Sequence, residues 1–172
     1  MFENPQISPD ELPDAASVDW QPMHKSMRTQ WLIGNAIPIT IVTIGLILFN
    51  VLPDASLFPV WISIGVFLTI TLPLLIWPFI AVPRLGFAAR DKDILYKSGV
   101  FFASVTAVPF NRVQHVETSH GPMDRRFGTA NLQLFTAGGT RGDLSIKGMD
   151  ADTAEKLRVF ILEKIGASVE RN

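Results

Sequence analysis

The sequence predicts a membrane-spanning helical hairpin followed by a small, mainly-β domain closed by a C-terminal helix. Three observations predict it. Charge is nearly absent from one stretch and ordinary elsewhere: the 55 residues from Thr29 to Pro83 hold one charge, Asp54, and the other 117 hold the remaining 30. After residue 84, short alternating segments recur between turn residues, as strands do. From Ala154 to Ile165, apolar residues repeat at three- and four-residue spacing, as on one face of a helix. A total charge of only 18 % with a mean hydropathy of +0.27 excludes a wholly soluble domain. The absence of cysteine excludes a disulfide scaffold, thiolate metal sites and thiol catalysis.

Residues 1–24 read as an acidic tail. Pro5, Pro9, Pro13 and Pro22 and the acids Glu3, Asp10, Glu11, Asp14 and Asp19 favour an extended, poorly ordered segment. A cleavable leader does not fit, because the first 19 residues contain no Lys or Arg.

Residues 25–83 read as the hairpin. Its first helix is placed at about 31–52, where 22 residues carry no charge. At 1.5 Å per residue that is roughly 33 Å, enough for a hydrocarbon core of about 30 Å. The second is placed at about 57–82, with 26 uncharged residues and with Pro73 and Pro78 as expected kink points. Only Pro53, Asp54, Ala55 and Ser56 join them, so the helices must be antiparallel neighbours. Lys25 and Arg28 precede the first helix, the connection has no basic residue, and Arg84, Arg90, Lys92 and Lys97 follow the second. That asymmetry predicts a multi-pass protein of the cytoplasmic (inner) membrane with both termini cytoplasmic. It sets Trp31 and Trp77 near the inner interface and Trp61 near the outer one. No ionisable residue lies within either span, which disfavours a transport pathway. Asn35, Asn50, Thr40, Thr43, Ser63, Thr69 and Thr71 are read as packing residues.

Residues 84–172 carry 13 basic and 10 acidic residues and read as the β domain. Six strands are expected: Leu85–Ala89, Ile94–Ser98, Phe101–Ala107, Val113–Ser119, Asn131–Thr136 and Asp143–Lys147. Gly138-Gly139 is read as a hairpin turn rather than a phosphate loop, since no Lys or helix follows in the required place. Asp150 or Asp152 caps the last helix, and Gly166 is expected to stop it.

The stretch VPFNRVQHVETSHGPMDRRFGTANLQLFTAGG, Val108 to Gly139, resembles the bacterial pleckstrin-homology-like membrane proteins of the YdbS type. Pro109, Arg112, Val113, Gln114, Val116, Pro122, Arg125, Arg126, Phe127, Gly128, Ala137, Gly138 and Gly139 match the family pattern. Ile146-Lys147-Gly148-Met149 and Asp19-Trp20-Gln21-Pro22-Met23 fit as well. Thr129 departs from it, standing where Leu is commoner, and is read as a packing change. The resemblance implies a PH-like split barrel of seven strands with a C-terminal capping helix, one strand more than the six read here. It implies as partners the lipid bilayer and a larger membrane protein with several PH-like domains, with self-association also open. It implies no reaction.

The candidate sites follow. His115, Glu117 and His120 resemble a metal set, but a half-exposed strand and turn explains them better. No Ser-His-Asp arrangement is legible, so no catalytic, cofactor or metal residue is assigned. Nucleic-acid binding is disfavoured by a pI near 6.3 and dispersed positive charge. Arg125 and Arg126, with Arg112 and Arg141, are the candidate interaction residues, as a site for an acidic partner or lipid headgroup. The competing reading is that one Arg pairs with Asp124. Pro109, Val113, Gln114, Val116, Phe127, Gly128, Gly138 and Gly139 are expected to be structural, with Phe127 in the core. The functional expectation is an interaction module in a membrane complex; a transport subunit and an anionic-lipid sensor are the alternatives.

Overall fold

The computed structural model describes residues 18–51, 59–136 and 144–169. Gly138, Gly139 and Arg141, and with them the expected Gly-Gly turn, lie outside the described residues. So do most of the acidic tail and the connection between the helices.

Two long apolar helices, α1 (Ser26–Val51) and α2 (Val60–Ala81), pack side by side as the membrane hairpin. Their polar side chains tie the pair together. Asn35 Nδ2 donates across to the Leu74 carbonyl at 2.7 Å, and Asn50 Nδ2 donates to Ser63 Oγ at 2.9 Å. Thr40, Thr43 and Thr69 turn back onto carbonyls four residues earlier, which satisfies their hydroxyls in lipid.

The soluble part is two antiparallel sheets. Strands β1 (Gln21–Pro22), β2 (Gly86–Ala89), β3 (Asp93–Ser98) and β4 (Ser104–Pro109) form one in sequence order. Strands β5 (Val113–Ser119), β6 (Thr129–Thr136) and β7 (Leu144–Asp150) form the other. The missing seventh strand is therefore β1, which pairs Gln21 with Phe87 and Pro22 with Gly86. It precedes the membrane hairpin in sequence, so Gln21 and Pro22, which read as tail, belong to the sheet. A two-residue strand has no alternation to detect, and only β2 makes it a strand.

The core between the sheets is built from Phe87, Ile94 and Val108 on one side and Leu132, Leu134 and Ile146 on the other. Helix α4 (Ala151–Val169) covers one opening with Ala154, Leu157 and Ile161, and Phe160 meets Phe110 edge to face at 5.9 Å. Asp150, not Asp152, caps it: Oδ2 accepts from the Thr153 amide at 3.1 Å and hydroxyl at 3.0 Å. Gly166 does not end α4, which runs on to Val169; a helical Gly costs only about 1 kcal/mol.

Two irregularities shape the second sheet. In β5, Val113 faces Thr136 and His115 faces Phe135, so Gln114 is an extra residue. This bulge turns Val113 and Val116 both inward and leaves Gln114 outward. In β7 the register shifts opposite Ala130–Leu132, and Gly148 there has φ +72°. The strand expected at Phe101–Ala107 begins only at Ser104; Phe101, Phe102 and Ala103 form the hairpin tip.

Candidate functional site

The residues from Pro122 to Phe127 include Arg125 and Arg126. They form a short helix, α3 (Pro122–Phe127), packed against α1. Pro122 sits at its first position, where a missing N–H costs nothing. Gly128 closes it in the left-handed region, φ 66° and ψ 32°. A Cβ there would meet nothing within 4 Å, so it is backbone conformation, not space, that favours Gly.

Helix α3 faces inward through Asp124. Its Oδ2 accepts from the Gly121 amide and from Asn131 Nδ2, and its Oδ1 accepts from Thr129 Oγ1, each at 2.9 Å. Asp124 is nearly buried, so these three donors replace the water it has lost. Thr129 in turn accepts from Gln30 Nε2 of α1 at 2.7 Å. Asn131 Oδ1 accepts from the Gly148 amide at 3.3 Å, and the Gly148 carbonyl accepts from the His24 amide at 3.0 Å. One hydrogen-bonded path thus joins the root of the first membrane helix to α3, β6 and β7. Gly148 is required for another reason too: a Cβ on it would lie 2.7 Å from Sδ of the buried Met27.

Thr129 is consequently not a packing change. Its hydroxyl bridges α1 and α3 where a Leu would leave Gln30 and Asp124 each short of a partner. Phe127 is half-buried rather than core, because the end of a six-residue helix lying on the surface reaches only the margin of the barrel. Asp124 forms no ion pair with either arginine, since its oxygens are taken by neutral donors.

Arg125 and Arg126 are exposed on the opposite face of α3, and their side chains have no hydrogen bond or ion pair among the described residues. Arg112 is also exposed, but it ends the turn Phe110–Arg112 before β5. The seven residues of β5 then separate it from α3, about 23 Å at 3.3 Å per residue. The structure therefore brings together Arg125 and Arg126 and leaves Arg112 apart.

The suspected metal set does not converge. The His115 ring packs on Phe135 at 5.6 Å, and His120 Nδ1 lies 3.0 Å from the Thr129 carbonyl, to which it donates when protonated there. Among the described residues no three His, Cys, Asp or Glu side chains could hold one ion.

Three ion pairs lie at the surface elsewhere among the described residues, the third joining Lys164 to Asp91. Arg90 with Asp93 closes the β2–β3 turn, and Arg158 with Glu155 staples α4. The Asp150 carboxyl is held below the usual aspartate range, chiefly by the Thr153 amide and also by its hydroxyl and by nearby His24. Sequence reasoning missed Gln30, Thr129 and Asn131 as a connected set. Their separation, about a hundred residues between Gln30 and Thr129, hides any local pattern.

Residues 37–165 match the bacterial PH domain family. The chain is 31 % identical over 165 residues to the transmembrane protein YdbS of Bacillus subtilis (strain 168), covering 92 % of this chain and 91 % of that protein. No solved structure matches it. Two apolar spans, two antiparallel sheets and a covering helix are joined in this chain as that likeness requires, and it belongs to the bacterial PH domain family, among the membrane-spanning proteins of the YdbS type.

Proposed function

We propose that this is a non-enzymatic protein of the cytoplasmic membrane whose PH-like domain serves as an interaction module in a membrane complex. Arg125 and Arg126 are its contact. The observation that carries the reading is the division of labour on α3: Asp124 fixes the helix from within, and two partnerless guanidinium groups stand on its outer face. A rigid, uncompensated cationic pair suits an acidic surface on another protein. The basic residues flanking the hairpin favour both termini on the cytoplasmic side. The partner that suits the family resemblance is a larger membrane protein carrying several PH-like domains.

A second reading has its own support. Because α3 leans on α1 beside Gln30, one residue before the apolar span, the pair stands close to the lipid headgroups. Anionic lipid would then be the acidic surface.

The test is Arg125→Glu with Arg126→Glu in the full chain. Its melting in mild detergent should stay within a few degrees of the native protein, as exposed charges contribute little to stability. Co-purification of membrane partners should fall several-fold. Unfolding of the variant would make the arginines structural, and unchanged co-purification would place the contact elsewhere. Retained partners with lost dependence on anionic lipid would favour the second reading.

A further inference from the structure

The β3–β4 hairpin ends in Gly99-Val100-Phe101-Phe102-Ala103, and its two phenylalanines are 81 % and 92 % exposed. Among the described residues of the soluble domain, the other large exposed apolar side chains are Val105 on the same hairpin and Val159 and Leu162 on α4. Gly99 holds φ +104°, and a Cβ there would lie 1.9 Å from the Phe102 carbonyl oxygen, so the tip is a specific turn and not a loose loop. No charged residue occurs between Lys97 and Arg112. Lys97 itself is drawn back over the Trp20 ring, 4.7 Å from its centroid, away from the tip.

The Phe101 ring lies 5.8 Å from that of Trp77. Trp77 belongs to α2, four residues before Ala81, so it lies about 6 Å inside the helix end. Its neighbours Ile76, Phe79 and Ile80 are exposed apolar side chains of the membrane span. The tip therefore continues the lipid-facing surface of α2 at a depth where tryptophan marks the membrane interface. Two adjacent aromatic rings in water would be costly there; in the interfacial layer they are favoured.

We propose that Phe101 and Phe102 form a wedge seated in the interfacial layer of the bilayer beside α2. The domain is then held to the membrane at a third point besides its two helices. The occupant is lipid, and the proposal is independent of any role for the arginines.

The chain has no cysteine, so Phe102→Cys gives a unique site for an environment-sensitive fluorophore. The full chain is reconstituted in vesicles of phosphatidylethanolamine and phosphatidylglycerol without other protein. Glu163→Cys, on the exposed face of α4, is the aqueous control. The label at 102 should be several-fold less accessible to iodide than at 163, and strongly quenched by lipids carrying a nitroxide near the headgroup. The Phe101→Ser change should restore iodide access. Iodide access at 102 equal to that at 163 overturns the proposal. Quenching by neither agent means a second copy covers the tip, and also overturns it. Protection that survives Phe101→Ser means the fluorophore, not the wedge, enters lipid, with the same consequence.

Discussion

Two of the places where the soluble domain meets the membrane hairpin are built on opposite principles. At the root of α1 the contact is buried and directional. Met23 and Met27 enter the core, and Gln30, Thr129, Asp124 and Asn131 share hydrogen bonds at 2.7–2.9 Å. At the β3–β4 tip it is exposed and apolar, with one ring contact to Trp77. Hydrogen bonds in a buried network permit one arrangement and penalise every other, because an unmatched polar group there is costly. A greasy tip against a helix tolerates rotation and sliding. The difference teaches that the α1 root is held by directional contacts, whereas α2 joins the domain through the short turn Val82–Arg84 and Leu85, with Val82 buried in the core, and through a ring contact at the tip.

Removing the root should have the largest effect. A fragment of residues 84–172 lacks β1, Met23 and Met27. Burying two Met side chains contributes about 3–6 kcal/mol, which is comparable with the whole stability of a small domain. Circular dichroism of the fragment should show no cooperative melting. A sharp transition at the temperature of the full chain would mean that the root decorates the domain rather than completing it.

Thr129→Val sharpens the comparison without removing volume. The hydroxyl links Gln30 to Asp124; its loss takes that acceptor from Gln30 and leaves Asp124 with two of its three donors. A cost of about 1–3 kcal/mol is expected from one missing partner in a buried network. Gln30→Ala in addition should cost less than the sum of the two single changes, because they break one path. Additive effects, read from thermal melting of the full chain, would show that the two residues are not coupled.

The smallest effect concerns Asp150, at the start of α4 on the same side as His24. Its carboxyl is held below the ordinary value when folded, so it contributes stability above the ordinary aspartate range. That contribution is lost as pH falls through the folded value. Asp150→Asn keeps a capping side chain but removes the charge, and should cost under about 1 kcal/mol at neutral pH. The gap between native and variant melting temperatures should close on acidification. A gap that stays constant with pH would mean the carboxylate acts only as a neutral acceptor would.

Several features were legible because they depend on residues close in sequence. The apolar spans, the strand alternation after residue 84 and the stripe Ala154, Leu157, Ile161 declare themselves in periods of a few residues. The Phe101-Phe102 pair misled by the same rule. Adjacent residues in a strand point to opposite faces, so a strand must expose one of two neighbouring phenylalanines, and here the turn exposes both. The arginines of the candidate contact were visible as residue types, but their separation into a pair on α3 and a distant Arg112 was not.

What the sequence determined by itself was the partition into oil and water: where the chain crosses lipid, that sheet follows residue 84, and that one helix closes the barrel. Hydrophobic transfer is local and additive along the chain, so composition and period reveal it. Only the tertiary structure decided that Gln21–Pro22 is a strand, that Gly148 leaves room for Met27, and that Thr129 joins the membrane helix to α3. These depend on directional contacts between segments far apart in sequence, whose geometry exists only once both sides are in place.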